Sequence, residues 1–320
     1  MTNTTGPVAP PRGFLEWDVV TDPAGWDAAV ALLGLPHSEA YPRDVSPNDQ
    51  SLAPDAIRAT SWYFSDGPDH WDFDLGGARR DVVPARSIDI GNMPFAGGDY
   101  GAHAASVTAV VADLLRRGTR VIVLGGDHGV TIPVLDALPV LGVPIHVVHI
   151  DAHLDWREEV DGVPRGYSSP LRWASQVPCI TGMTQIGLRG TGSARAGEVA
   201  AARAWGSNLF TARQIHADGI EPVLATIPAD RAVYITIDAD GLDPTVMPGV
   251  MGPAPGGLTF DQVARLLHAL GARHRVVGMD LVEVAPSFDF TNRLTCITAG
   301  RLVINLLGAI AGQITPSGAG

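Results

Sequence analysis

Short apolar runs at 121–124, 145–150, 184–188, 233–238 and 276–282 recur along the chain, with amphipathic helical patterns between them. The segment 106–117 places Val107, Val110, Val111, Leu114 and Leu115 at helical spacing and stops at Gly118. Thr259 and Gln262 form a capping box ahead of Val263, Leu266, Leu267 and Leu270, with Gly271 as the expected end. Strands that are apolar on both faces and separated by helices need cover on both sides. The expected fold is therefore α/β, a three-layer sandwich with a mainly parallel central sheet.

Ligands in such sheets bind at the carboxyl ends of strands. The acidic and histidine motifs of this chain all follow an apolar run directly. HIDAHLD at 149–155 places Asp151, His153 and Asp155 two residues apart, so in extended chain their side chains converge on one side. Asp238 and Asp240 repeat that spacing after 233–237, and His128 ends GGDH at 125–128, where glycines permit a sharp turn. Two imidazoles and four carboxylates balance two divalent cations. An oxygen-rich set of this kind suits a pair of harder ions, Mn²⁺ first and Ni²⁺ or Co²⁺ next, better than a single zinc. Two ions about 3.5 Å apart hold a bridging water and lower its pKa toward neutrality.

Composition removes competing chemistries. The 320 residues hold 22 cationic side chains, all arginine, so Schiff-base lysines and Walker-type phosphate loops are excluded. A net charge of −12 argues against a nucleic-acid partner and is compatible with a small cationic substrate. Cys179 and Cys296 are too few for a disulfide framework and fit a reducing compartment. The N-terminus lacks the pattern of a secretory signal, and no apolar run approaches about 18 residues, so a cytoplasmic protein without a membrane partner is expected. Residues 1–85, rich in Pro, Asp and aromatics and without sustained periodicity, read as an N-terminal wrapping segment of the same domain, and 86–320 as the catalytic α/β domain.

GGDH, DAHLD at 151–155 and DADGLDP at 238–244 together resemble the metal motifs of the ureohydrolases, the family of arginases and agmatinases, over about residues 85–312. The resemblance implies an arginase-like fold and an amidinohydrolase that cleaves a guanidino C–N bond to urea and an amine by attack of a metal-bridging hydroxide. It also implies that His128 and Asp155 complete one metal site and His153 and Asp240 the other, with Asp151 and Asp238 bridging. GMDLVEVAP at 278–286 is similar to the family's last signature, and its glutamate, here Glu283, would bind the substrate guanidinium. Physically this fits, because a carboxylate accepts two N–H bonds from a planar cation at once. Asp155 is the expected proton acceptor, and homo-oligomers, trimers or hexamers, are implied.

The chain departs from the family in the loop after DAHLD. Aligned on Pro170, Tyr167 occupies the position where many members carry a proton-transferring histidine. The loop that grips the amino-acid end of arginine is not evident in 157–170, which points to agmatine-like compounds, guanidino acids or small guanidines and biguanides. Tyr167 and Arg165 are the substrate-binding candidates there, with Arg172 as a second possible partner for a carboxylate. Two alternatives stand beside this reading: hydrolysis of a formimino compound, and a metal-binding subunit that supports an active paralogue in a heteromer.

Overall fold

The computed structural model describes residues 6–38, 41, 49–63, 67–95, 97, 99–191 and 194–314. The tail at 316–320 and residues 64–66 of the aromatic stretch lie outside the described residues.

The eight strands of the main sheet are β1 (Val30–Leu35), β2 (Ser87–Asn92), β3 (Arg120–Gly125), β4 (Ile145–Ile150), β5 (Ile180–Leu188), β6 (Asn208–Thr211), β7 (Ala232–Asp238) and β8 (Val276–Val282). They lie in the order β2-β1-β3-β8-β7-β4-β5-β6, and every pairing between them is parallel. Alternate residues of one strand enter opposite faces: Ile122 and Leu124 join one hydrophobic cluster, Val121 and Val123 the other. The first cluster is closed by helices α1 (Ala53–Thr60), α6 (Ala212–Asp218), α7 (Phe260–Arg273) and α8 (Leu294–Ala311). The second is closed by α2 (Tyr100–Arg116), α3 (Thr131–Ala137), α4 (Pro170–Ala174) and α5 (Ala196–Trp205). Three layers result, as the double-sided apolar runs require.

Helix ends differ from expectation in instructive ways. α2 starts earlier, at Tyr100, because Asp99 caps it by accepting from the Ala102 N–H. The capping box of Thr259 and Gln262 opens α7 as expected, yet the helix continues past Gly271 to Arg273. Gly271 is there for closeness: a Cβ would meet Ala309 of α8 at 2.7 Å. α8 is itself long and apolar enough to cross a membrane by length and composition, but 67% of it is buried, packed on α7 and α1.

The N-terminal segment does more than wrap. Val30–Leu35 forms β1 inside the sheet, between β2 and β3, and all six residues are buried. A strand buried on both faces reads as a plain apolar run, and six residues of it show no period to detect. α1 is tied to the sheet by Arg58, whose guanidinium makes paired bonds of 2.7 and 2.9 Å to Asp89 on β2 in a fully buried setting.

Candidate metal centre

Four adjacent central strands, β3, β8, β7 and β4, end at the same edge, and each carries one of the motifs at or just past its last residue. Close backbone packing makes this convergence possible. The first glycine after the DAD step, Gly241, leaves room where a Cβ would meet the Asp151 nitrogen at 2.7 Å. At Gly126 a Cβ would collide with the His37 carbonyl, to which Asp127 donates its N–H.

All six expected ligands come together. His128 Nδ1 lies 3.0 Å from Asp155 Oδ2 and 3.4 Å from one oxygen each of Asp151 and Asp238. His153 Nδ1 lies 3.3 Å from Asp151 Oδ1 and 3.1 Å from Asp240 Oδ2. Asp151 therefore spans two half-sites, its Oδ2 toward His128 and its Oδ1 toward His153. Asp238 turns Oδ2 to the His128 half, while its Oδ1 accepts from the Asp240 N–H at 2.8 Å. The halves differ in access: the His128 side chain is 1% exposed and that of His153 28%, so the His153 half is the open one.

The donor set fits divalent cations. His128 Nδ1 is buried among three carboxylate oxygens and has no hydrogen-bond partner. Its other nitrogen explains the orientation. Thr236 Oγ1 donates to Asp280 at 2.5 Å, so it accepts from His128 Nε2 at 2.9 Å, and the lone pair of Nδ1 faces the carboxylates. Burial, then the charge of Asp240 and Asp151, pushes the Asp238 carboxyl well above its usual range, and burial with Asp151 raises Asp155. Burial opposes a charged His153, but hydrogen bonds to Asp151 and Asp240 outweigh it and push the imidazole up to about 12. A group of buried acids that raises the pKa of a neighbouring imidazole is a group that seeks positive charge.

Asp155 and Glu283 both have left-handed backbones, at φ 49 and 65, which costs non-glycine residues energy and recurs at functional sites. Glu283, just past β8, lies half-buried beside this group. Its Oε1 accepts from the His128 N–H at 2.7 Å and its Oε2 from Gln50 Nε2 at 2.8 Å. Burial, reinforced by Asp127, raises its pKa to about 8. Both hydrogen-bond partners are neutral donors, so no arginine cancels its charge among the described residues.

The two loop candidates go different ways. Tyr167 lies with its ring 4.3 Å from that of Tyr41, whose hydroxyl accepts from the Ser168 N–H at 3.0 Å. Arg165 points elsewhere, with its guanidinium 4.0 Å over the ring of Trp173. Three residues of the site went unread in the sequence. Gln50 and Tyr41 stand in the N-terminal segment with no motif to mark them. His149 shares the alternation of the metal motif, and its Nε2 lies 2.8 Å from Asp151 Oδ2. The alternation was the signal that could have found it.

Comparison with known proteins agrees with this geometry. The profile of the arginase family matches residues 28–308. An N(1)-aminopropylagmatine ureohydrolase of Thermus thermophilus is 36% identical over 205 residues, covering 63% of this chain and 67% of its own. An agmatinase of Escherichia coli is 31% identical over 305 residues, 92% of each chain. Among solved structures, proclavaminate amidino hydrolase of Streptomyces clavuligerus superposes with a TM-score of 0.80 at 28% identity, covering 95% of this chain and 98% of its own. Formimidoylglutamase of Bacillus subtilis shares the fold, with a TM-score of 0.80 at 24% identity over 94% of this chain and 92% of its own. The protein is an amidinohydrolase, and the chain belongs to the arginase family.

Proposed function

We propose that this enzyme hydrolyses an amine-bearing guanidino compound of the agmatine type, giving urea and the corresponding amine. The observation that carries the reading is Glu283, a half-buried carboxylate beside the metal-binding group, held by neutral donors and with no arginine partner among the described residues. A guanidinium presents paired N–H donors to such a carboxylate and is thereby oriented toward the acidic group. Two divalent ions, when bound by His128, Asp151, His153, Asp155, Asp238 and Asp240, offset the carboxylate charge and supply a hydrolytic nucleophile at neutral pH. Manganese is the first choice for this donor set, with nickel and cobalt next.

The chain's own groups handle the protons. Asp155, held in its left-handed turn with one oxygen 3.0 Å from His128 Nδ1, is the acceptor for the proton of the attacking water. No histidine follows in the loop, and Tyr167 with Tyr41 fills that wall. The amine leaves on the open side, beside His153, where solvent reaches the group.

Three arginines that follow the DAHLD motif have partners of their own. Arg165 stacks on Trp173, and Arg157 pairs with Glu198 at 2.7 Å. Arg189 is spent on backbone carbonyls of residues 187, 240, 241, 242 and 254. Arg157 and Arg189 are thereby withdrawn from a substrate carboxylate, which favours a guanidino amine over a guanidino acid. The names of the aminopropylagmatine ureohydrolase and agmatinase relatives support the same class.

Urea release by the purified chain loaded with Mn²⁺ or Ni²⁺ tests the reading against agmatine, arginine, guanidino acids, small guanidines and formiminoglutamate. Urea from agmatine supports it. Formamide from the formimino compound would replace it, and silence across the panel would favour a supporting subunit.

A further inference from the structure

We propose that His149, which stands among the candidate ligands, is a positioning residue for Asp151 and does not bind metal. The proposal rests on the two-metal reading of the site. By position His149 invites the opposite assignment: it is buried on β4, two residues before Asp151, and its ring nitrogen lies close enough to the acidic group for a shared ion.

The neighbouring strand decides the question. Gln185 is the residue directly paired with His149 across β4 and β5, so the two side chains lie side by side on one face. Gln185 Nε2 is 3.0 Å from His149 Nδ1. The amide has one consistent orientation. Its Oε1 accepts from the Ser207 hydroxyl at 3.0 Å and its Nε2 donates to the Leu154 carbonyl at 2.8 Å. Turning it over would set two carbonyl oxygens against each other beside Leu154. Nδ1 of His149 is therefore an acceptor, and the ring proton resides on Nε2. That Nε2–H donates to Asp151 Oδ2 at 2.8 Å.

A neutral imidazole used in this way has no lone pair left for a cation. Its contribution is to hold a carboxylate that must serve two ions. Asp151 Oδ2 is fixed by His149 and its Oδ1 by the His153 N–H at 2.6 Å, one oxygen for each half-site. His128 shows the reverse arrangement: Thr236 takes its Nε2–H and leaves Nδ1 open. Two buried histidines in one site thus carry opposite roles, each assigned by a partner on another strand of the sheet.

The experiment compares metal content and the Mn²⁺ EPR spectrum of the full-length protein and three variants, each checked for cooperative thermal unfolding. His149→Gln puts an amide N–H near the position of Nε2 and should keep two ions per chain with a spin-coupled pair. His149→Phe removes the donor, and Mn²⁺ affinity of the pair should fall by about 10- to 100-fold, with uncoupled Mn²⁺ signals appearing. Gln185→Leu frees the tautomer without touching the metal group and should fall between the two. Unchanged affinity and coupling in both His149→Phe and Gln185→Leu would overturn the proposal. Equal loss of metal in His149→Gln and His149→Phe, with Gln185→Leu unaffected, would overturn it in favour of direct ligation. Wild-type protein that binds no pair at all would fail the two-metal reading itself.

Discussion

Glu283 and His128 are joined across the ends of two neighbouring strands, the carboxylate Oε1 accepting from the His128 N–H at 2.7 Å. The group proposed to hold the guanidinium is thus fixed to the backbone of a group proposed to hold metal. Substrate and nucleophile share one frame, the condition for a reaction that depends on alignment.

Replacing Glu283 by Gln keeps the shape and removes the charge. kcat/KM for the guanidino substrate should fall by about 100-fold or more, as for loss of a hydrogen-bonded charged partner. Metal content should stay at two ions per chain. Steady-state urea assays with parallel metal analysis check this. A variant with near wild-type kcat/KM would remove Glu283 from substrate binding.

Thr236→Val breaks the relay from His128 Nε2 through Thr236 Oγ1 to Asp280 while leaving the volume almost unchanged. His128 then loses the partner that sets its tautomer, and metal affinity should drop by about 10-fold or more. Titration with a competing chelator measures it. Equal affinity in both proteins would contradict the relay.

Asp72 and Arg301 join the hairpin at 71–78 to α8 through bonds of 2.5 and 2.9 Å. Burial opposes ionisation of Asp72, but Arg301 outweighs it and holds the carboxyl below its usual range. A pKa lowered by folding adds stability that is present above the unfolded value and disappears as pH falls through the folded value. Asp72→Asn should therefore melt lower than wild type near neutral pH, and the gap should close below about pH 4. Thermal melts across that range decide; a gap that persists unchanged at pH 2 would show that the pair's charge is not its source.

The parts of this molecule legible in the sequence are those with a short-range code. The runs before His128, Asp151, Asp238 and Glu283 announce strands by composition, and ligands two residues apart face one way whatever the rest of the chain does. β1 was hidden because a strand buried on both sides carries no alternation. Gln50 and Glu283 are 233 residues apart, and nothing local in either marks the bond. His149 was visible as a residue but not as a role, since its tautomer depends on Gln185 of the next strand and on Ser207 beyond it. Arg165 shows the converse. A cation in the expected loop lies stacked on Trp173, a partner that no local pattern marks.

The central claim is a pair of divalent ions, bridged by Asp151, acting on a guanidino amine. Metal analysis of the purified protein, joined to urea release from agmatine before and after chelation and after re-addition of Mn²⁺, tests it most directly. The expected result is two ions per chain, loss of urea release on removal, recovery on reloading, and no recovery in Asp151→Asn. Urea release that survives complete metal removal, or a protein that carries one ion and is fully active, would contradict it.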